Sequence, residues 1–372
     1  MGRSPPAGDS LRVQDKEETS VCQQDERPAE EQSIVWPALI AVTVVTAAEA
    51  VAVGLYFCYK KWRGDNQSVC LLVNNEEEVL DNGRFVRNMC RILGEGQFGV
   101  VHAGWMPEQR RAVAIKVVAS TRTNSKLQFA ERETCLLIRM FPHHNLLNVL
   151  HTQVRHQQLY IVTEICHINF DNFLRMVGGV LHISTVQTTA QHLAKGYKHL
   201  EQLGILHRDI KPDNIFININ QNGSIVVKIG DFGCSYLLGP SQDFEHKGPR
   251  ARTFTPPEMV PHLNARFGSS PTHRQDIWAI ALTLFLGATG RPAVTLPVDR
   301  LSVPSDFEVT LPENMNDMLK DLLGKMLSYN HTERLSIDQM LQHSFLTVML
   351  EIFAVEPVLR SVPWYSTVPE RP

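Results

Sequence analysis

Residues 91–105 read RILGEGQFGVVHAGW, and the fold turns on the residues after the last glycine of the loop. Gly94, Gly96 and Gly99 form a G-x-G-x-x-G pattern. Such glycines let backbone N–H groups come close to phosphates. In a dinucleotide-binding fold the pattern comes after a strand and opens a helix. Here Val101 and the residues beyond it continue as a strand instead. The stretch therefore reads as a glycine-rich hairpin between two antiparallel strands.

The chain on either side extends this reading. In RAVAIKVVA, residues 111–119, Lys116 lies between Ile115 and Val117 and points to the face opposite theirs. A lysine in a strand is ordinarily solvated, but this one comes a short, fixed distance after the glycine loop. SKLQFAERETCLLIRM, residues 125–140, reads as an amphipathic helix, with Phe129, Leu136, Leu137 and Met140 available for one face. QLYIVTEI, residues 158–165, is another strand. After about residue 167 helical segments dominate: 184–204, 274–290 and 313–327. The expected class is α+β, with a small antiparallel β lobe before a larger helical lobe. Ligands commonly bind in a cleft between such lobes.

Two polar stretches carry chemistry. HRDIKPDNIFI, residues 207–217, crowds Asp209, Lys211 and Asn214 around a proline, just before an apolar run. That composition suits a turn held against a strand. In KIGDFG, residues 228–233, Asp231 comes after a β-rich run and precedes a flexible glycine. A carboxylate placed so can hold a divalent metal, and hard oxygen ligands suit Mg²⁺ bridging phosphates.

Taken in order, these motifs resemble the protein kinase superfamily over about residues 88–347. The resemblance implies a bilobal kinase fold, ATP and Mg²⁺ as cofactors, and protein substrates. It makes Leu93, Gly94, Gly96, Gly99, Val101, Ala114, Lys116, Glu164 and Cys166 the ATP-binding positions. Thr163 would be the gatekeeper. Lys116 would contact phosphates, with a glutamate of the next helix as partner. Glu133 fits the family pattern E-x-x-[IL]-L, and Glu131 is the fallback. Asp209 matches the catalytic base and Lys211 the lysine that steadies the transferring phosphate. Asn214 and Asp231 match the metal ligands. Glu258 and Arg334 match a buried ion pair, and Asp276 and Trp278 the helix under the catalytic loop. The form KPDN, residues 211–214, resembles serine/threonine kinases.

Some positions depart from the family. RARTFTPPE, residues 250–258, has Ala251 where the family carries a threonine that bonds the catalytic loop, and Phe254 where it carries a tyrosine. Ala281 replaces a glycine. Cys166 and Cys234 are thiols near the nucleotide positions and read as small buried residues. Arg208 before Asp209 implies control by phosphorylation of the activation segment, with Ser235, Tyr236, Ser241, Thr253 and Thr255 available. Three readings remain open: an active serine/threonine kinase, a pseudokinase that serves as a membrane scaffold, or a tyrosine or dual-specificity kinase.

Composition bounds the rest. The 372 residues are 43% hydrophobic and 20% charged, with a net charge of -3. The near-neutral balance gives no support for nucleic-acid binding. The seven cysteines include no Cys-x-x-Cys pair, which fits free thiols in a reducing compartment. Residues 34–58, IVWPALIAVTVVTAAEAVAVGLYFC, are long enough to span a bilayer, which takes about 20 apolar residues. Trp36 and Tyr56 lie near its ends, and Glu49 near its middle costs about 2.5–3.5 kcal/mol on insertion scales. Ala50 and Gly54 permit close helix contact, hence a dimer through the span. Lys60, Lys61 and Arg63 come directly after it and place the rest of the chain in the cytosol. The expected organisation is an acidic, disordered segment over 1–33, the transmembrane helix over 34–58 and a juxtamembrane linker over 59–87. The kinase domain over 88–347 and a tail over 348–372 complete it.

Overall fold

The computed structural model describes residues 77–96, 99–119, 125–220, 223–238, 252–259, 272–293 and 309–348, with the backbone alone for 125–130 and 252. All belong to one compact unit. Residues 34–58 lie outside the described residues, and among the described residues no helix is long and apolar enough to cross a membrane.

The first lobe is a six-stranded antiparallel sheet. Its strands are β1 (Glu77–Leu80), β2 (Phe85–Gly96), β3 (Gly99–Met106), β4 (Arg111–Ala119), β5 (Val149–Arg155) and β6 (Gln158–Glu164), ordered β1-β2-β3-β4-β6-β5. Alternation sorts the side chains into two faces. Val113, Ile115 and Val117 of β4 join Leu80, Phe85, Met106, Tyr160 and Val162 in one buried cluster. Ala114 and Lys116 face the other way. Their cross-strand partners are Ala103 and Val101 on β3, and Thr163 and Ile161 on β6. So Val101, Ala114, Lys116 and Thr163 share one face of the sheet.

β1 corrects an expectation. Glu77–Leu80 belongs to the stretch assigned to a linker, yet it pairs with β2 from Glu77↔Asn88 to Leu80↔Phe85. Leu80 is 1% exposed and Phe85 fully buried. The turn between them uses positive φ at Asp81, Asn82 and Gly83, with values of 46°, 53° and 94°. Asp, Asn and Gly are the residues that tolerate that region.

Helix α1 (Ser125–Met140) packs against β5. Of the residues expected on its buried face, Leu137 packs against the core, but the centre of the buried stripe lies elsewhere. Glu131, Thr134, Cys135 and Ile138 are buried, whereas Met140 is 67% exposed. The side chain of Phe129 lies outside the described residues. The spacing i, i+4, i+7 from Glu131 defines the stripe that meets the sheet.

The second lobe is built on α2 (Phe170–Met176), α3 (Ile183–Gln202), α4 (Arg274–Thr289), α5 (Asp317–Met326), α6 (Ile337–Gln342) and α7 (Ser344–Thr347). Helix α4 is buried along nearly its whole length, from Gln275 to Phe285, so it is enclosed on every side and sits at the centre. Helices α3 and α5 pack on it. Side-chain caps start several helices: Asn316 accepts from Leu319 N at 3.1 Å, and Ser336 with Gln339 forms a capping box. Arg334, fully buried, meets the Glu258 carboxylate through both Nη atoms at 2.8 and 3.0 Å and lies over the Trp278 ring.

Short strands lead from this lobe to the cleft. β7 (Ile168–Asn169), β9 (Ile215–Ile219) and β10 (Ile225–Ile229) form one sheet, and β8 (Ile205–Leu206) pairs with β11 (Tyr236–Leu237). β9 and β10 are antiparallel with Ile215 opposite Ile229. The residue before β9 and those just after β10 therefore meet at one end of the pair. Those residues are Asn214 and Gly230–Asp231.

Candidate active site

The sheet face that carries Lys116 opens on the end of the β9/β10 pair. Lys116 Nζ lies 2.8 Å from Glu131 Oε1 and 2.6 Å from Asp231 Oδ1. Glu131 is therefore the partner of Lys116, and the assignment of Glu133 is overturned. The reason is helical phase. Glu131 is on the buried stripe with Cys135 and Ile138, whereas Glu133, two residues on, is turned about 200° around the helix. Burial alone would depress the Lys116 pKa, but the two carboxylates outweigh it and raise the pKa above the ordinary lysine value. Burial likewise pushes Glu131 up, against the pull of Lys116. Asp231 is also opposed by burial, yet Lys116 and the Gly233 N–H hold it below the usual carboxylate range.

Asp231 stands at φ 59°, a region uncommon for non-glycine residues. Its Oδ1 takes the Lys116 ammonium and the Gly233 N–H, the latter at 3.3 Å. Asn214 is fixed from two sides. Its Nδ2 donates to the Asp209 carbonyl and to Asp209 Oδ2, both at 2.8 Å, and its carbonyl accepts from Gly230 N at 2.9 Å. Because the amide nitrogen faces Asp209, the amide oxygen faces away from it.

Asp209 is 6% exposed, and its Oδ2 accepts from both Asn214 and Lys211 Nζ, the latter at 2.8 Å. Burial works against the Lys211 charge, but the hydrogen bond to Asp209 raises its pKa overall. The loop is clamped by Asp276 of α4. Asp276 Oδ2 accepts from His207 N at 2.7 Å and Tyr197 Oη at 2.9 Å, and its Oδ1 accepts from Arg208 N at 2.8 Å. That grip holds Arg208 at φ 68°. His207 joins the two loops: its Nδ1 accepts from Asp209 N at 3.3 Å, so Nε2 carries the hydrogen donated to Gly230 O at 3.1 Å.

At the glycine loop, Gln97 and Phe98 lie outside the described residues. A Cβ on Gly99, at φ 140°, would lie 2.2 Å from Val117 O, so only glycine fits there. A Cβ on Gly94 or Gly96 would meet nothing within 4 Å. Their backbone therefore borders open space. Leu93 beside them is 43% exposed. Glu164 ends β6. Its Oε1 accepts from Asn148 N at 2.8 Å and Lys228 Nζ at 2.9 Å, a buried pair that ties the sheet to β10. Burial pushes the Cys166 and Cys234 thiols up to about 12, which leaves them protonated and unreactive at neutral pH.

Sequence reasoning had not picked out Glu131 as the primary partner, His207 as a bridge, or Lys228. A lysine inside the apolar run IVVKI is the signal for the last of these. Among the described residues no group of three or more His, Cys, Asp or Glu side chains could hold a metal. A pair made of Asp231 and Asn214 is still enough for Mg²⁺, which takes one or two protein oxygens plus phosphates and water. Of the segment before Glu258, Ala251 is outside the described residues, while Phe254 and Asp209 line the same cavity. Ser235 is 3% exposed, and Ser241 is outside the described residues.

Known proteins are similar to this chain over the same region. A profile of the family described as "Protein kinase domain" matches residues 87–346. Serine/threonine-protein kinase PKZ1 of Phytophthora infestans is 26% identical over 291 residues, covering 70% of this chain and 71% of that protein. Serine/threonine-protein kinase ATG1b of Arabidopsis thaliana is 29% identical over 273 residues, covering 69% of this chain and 36% of that protein. Serine/threonine-protein kinase DCLK1 of Rattus norvegicus is 26% identical over 275 residues, covering 69% of this chain and 59% of that protein. With a β lobe before a helical lobe, Lys116, Glu131 and Asp231 joined at the site, and these relatives, the chain belongs to the protein kinase family, as a protein serine/threonine kinase.

Proposed function

We propose that the chain is an active, membrane-anchored kinase that transfers the γ-phosphate of ATP to serine and threonine hydroxyls of protein substrates. One observation supports it above the others. Lys116 Nζ is within 2.8 Å of Glu131 and 2.6 Å of Asp231, so the lysine and the carboxylate that this reading assigns to phosphate and metal lie together. Phosphoryl transfer asks the protein mainly for positioning and charge neutralisation.

The residues fit Mg-ATP by the chemistry of their donors and by the open space beside Gly94 and Gly96. Bound Mg-ATP supplies the phosphoryl group and a cation that offsets the phosphate charge. Lys116 holds phosphate oxygens, and Glu131 keeps the ammonium in place. Asp231 and Asn214 offer carboxylate and amide oxygen to the cation. Leu93, Val101 and Ala114 bound the nucleotide on the sheet side, and the backbone of Glu164 to Cys166 offers hydrogen bonds to the base. Asp209 orients the substrate hydroxyl and accepts its proton on the carboxylate. Lys211, 2.8 Å from Asp209 Oδ2, offsets charge on the group in transit. The clamp by Asp276 removes the need for the loop to order itself at each turnover.

The pseudokinase reading rests on Ala251, which cannot make the threonine's bond to the catalytic loop. Against it, Lys211 reaches Asp209 directly. Anchoring rests on residues 34–58 and the basic residues after them. In this reading the kinase faces the cytosol, and Ala50 and Gly54 offer a surface for dimerisation. Labelled phosphate recovered as phosphoserine or phosphothreonine supports the class, whereas phosphotyrosine alone would overturn it. The full chain is expected to stay with membranes after alkaline carbonate extraction. Release into the supernatant would remove the anchor.

A further inference from the structure

Gln275 precedes Asp276 in α4 and is 5% exposed. Neither its Oε1 nor its Nε2 has a hydrogen-bond partner among the described residues. Buried amides are almost always satisfied, and a methionine or leucine here would pack without that penalty. Gln275 lines a cavity of about 20 Å³. Asp209 forms part of its wall, and Phe254, Thr255 and Pro256 form another part. Arg208 lines it too, with a buried Nε that is also unpartnered among the described residues. The residues around the cavity thus carry unpartnered donors and an acceptor, with Asp209 among them.

We infer that Gln275 determines substrate specificity by hydrogen-bonding a small, uncharged polar side chain at the substrate position next to the phosphoacceptor. The inference rests on the kinase reading. Asp209, which meets the phosphoacceptor hydroxyl in this reading, is one of the cavity's walls, so the proposal puts the neighbouring residue of the peptide within reach of it. Its size admits about one water-sized group, such as a hydroxyl or part of an amide. A charged side chain would have to give up its hydration for a space the size of one water molecule. An aliphatic one would leave the Gln275 amide buried and unpaired, the situation that gives polar sites their strongest discrimination. Serine, threonine and asparagine fit these limits.

The test uses the full chain, Mg-ATP and serine peptides that differ only in the residue before or after the phosphoacceptor. Wild type is compared with Gln275→Met and, as a second shape, Gln275→Leu, each checked for folding by thermal melting. The readout is the ratio of kcat/KM between peptides with a serine, threonine or asparagine neighbour and those with a leucine neighbour. Wild type is expected to favour the polar neighbour by roughly fivefold, the worth of one hydrogen bond, and both variants to lose or reverse that ratio. A loss of rate without a change of ratio marks a structural role and overturns the inference. Equal ratios in all three proteins mean a cavity filled by solvent only, which also overturns it. Absence of transfer by wild type itself strikes the kinase reading, and this assignment falls with it.

Discussion

Lys116 keeps a charge that its burial opposes, because Glu131 and Asp231 both face it. A buried ion cluster of this kind is a weak source of stability, since desolvation offsets most of the attraction. Its value lies in geometry: one ammonium is held between a helix, a strand and the residues just after β10. Removing one member leaves the others charged and misplaced. Glu131→Gln is therefore expected to lower kcat/KM by roughly 10- to 100-fold. Glu133→Gln, off the buried stripe, is expected to change it by no more than about twofold. Steady-state kinetics on one peptide substrate separates the two. Comparable losses in both variants would mean that α1 docks in another phase during turnover.

The phase of α1 shows where elements were legible in the sequence and where they were not. The span 125–140 could be read directly, because its ends and periodicity are local properties. Which carboxylate meets Lys116 could not, because a buried glutamate breaks the apolar pattern that reports a helix face. The motif E-x-x-[IL]-L pointed to Glu133, and packing against the sheet chose Glu131. Asp209, Asn214 and Asp231 were legible because their loops are short and the sequence places them beside strands. The Lys228–Glu164 pair joins residues 64 positions apart, which no local pattern reveals. Strand β1 was missed although it had a signal: Asp81, Asn82 and Gly83 stand between apolar residues as a hairpin turn. Acidic neighbours hid it. The burial of Leu80 gives this strand a consequence that a linker would not have. Leu80→Ala is expected to cost about 2–5 kcal/mol of unfolding free energy by urea denaturation. A change near zero would return β1 to the status of a linker.

Across the molecule, elements from distant parts of the chain converge on one site. The sheet supplies Lys116, the β9/β10 pair supplies Asn214 and Asp231, and the loop before β9 supplies Asp209 under the grip of Asp276. Helix α4 anchors that loop in the core, so the stability of the helical lobe and the order of the site are one property. This convergence is expected to carry out phosphoryl transfer with Asp209 as proton acceptor. The decisive measurement is transfer of labelled γ-phosphate from Mg-ATP to a protein substrate by the full chain and by Asp209→Asn, with nucleotide binding measured in parallel. The expected result is transfer by the wild type, a loss of about 10²- to 10⁴-fold in the variant, and unchanged nucleotide binding. Transfer that survives the substitution, or a wild type that binds nucleotide but transfers nothing even after treatment with an activating kinase, would contradict that role.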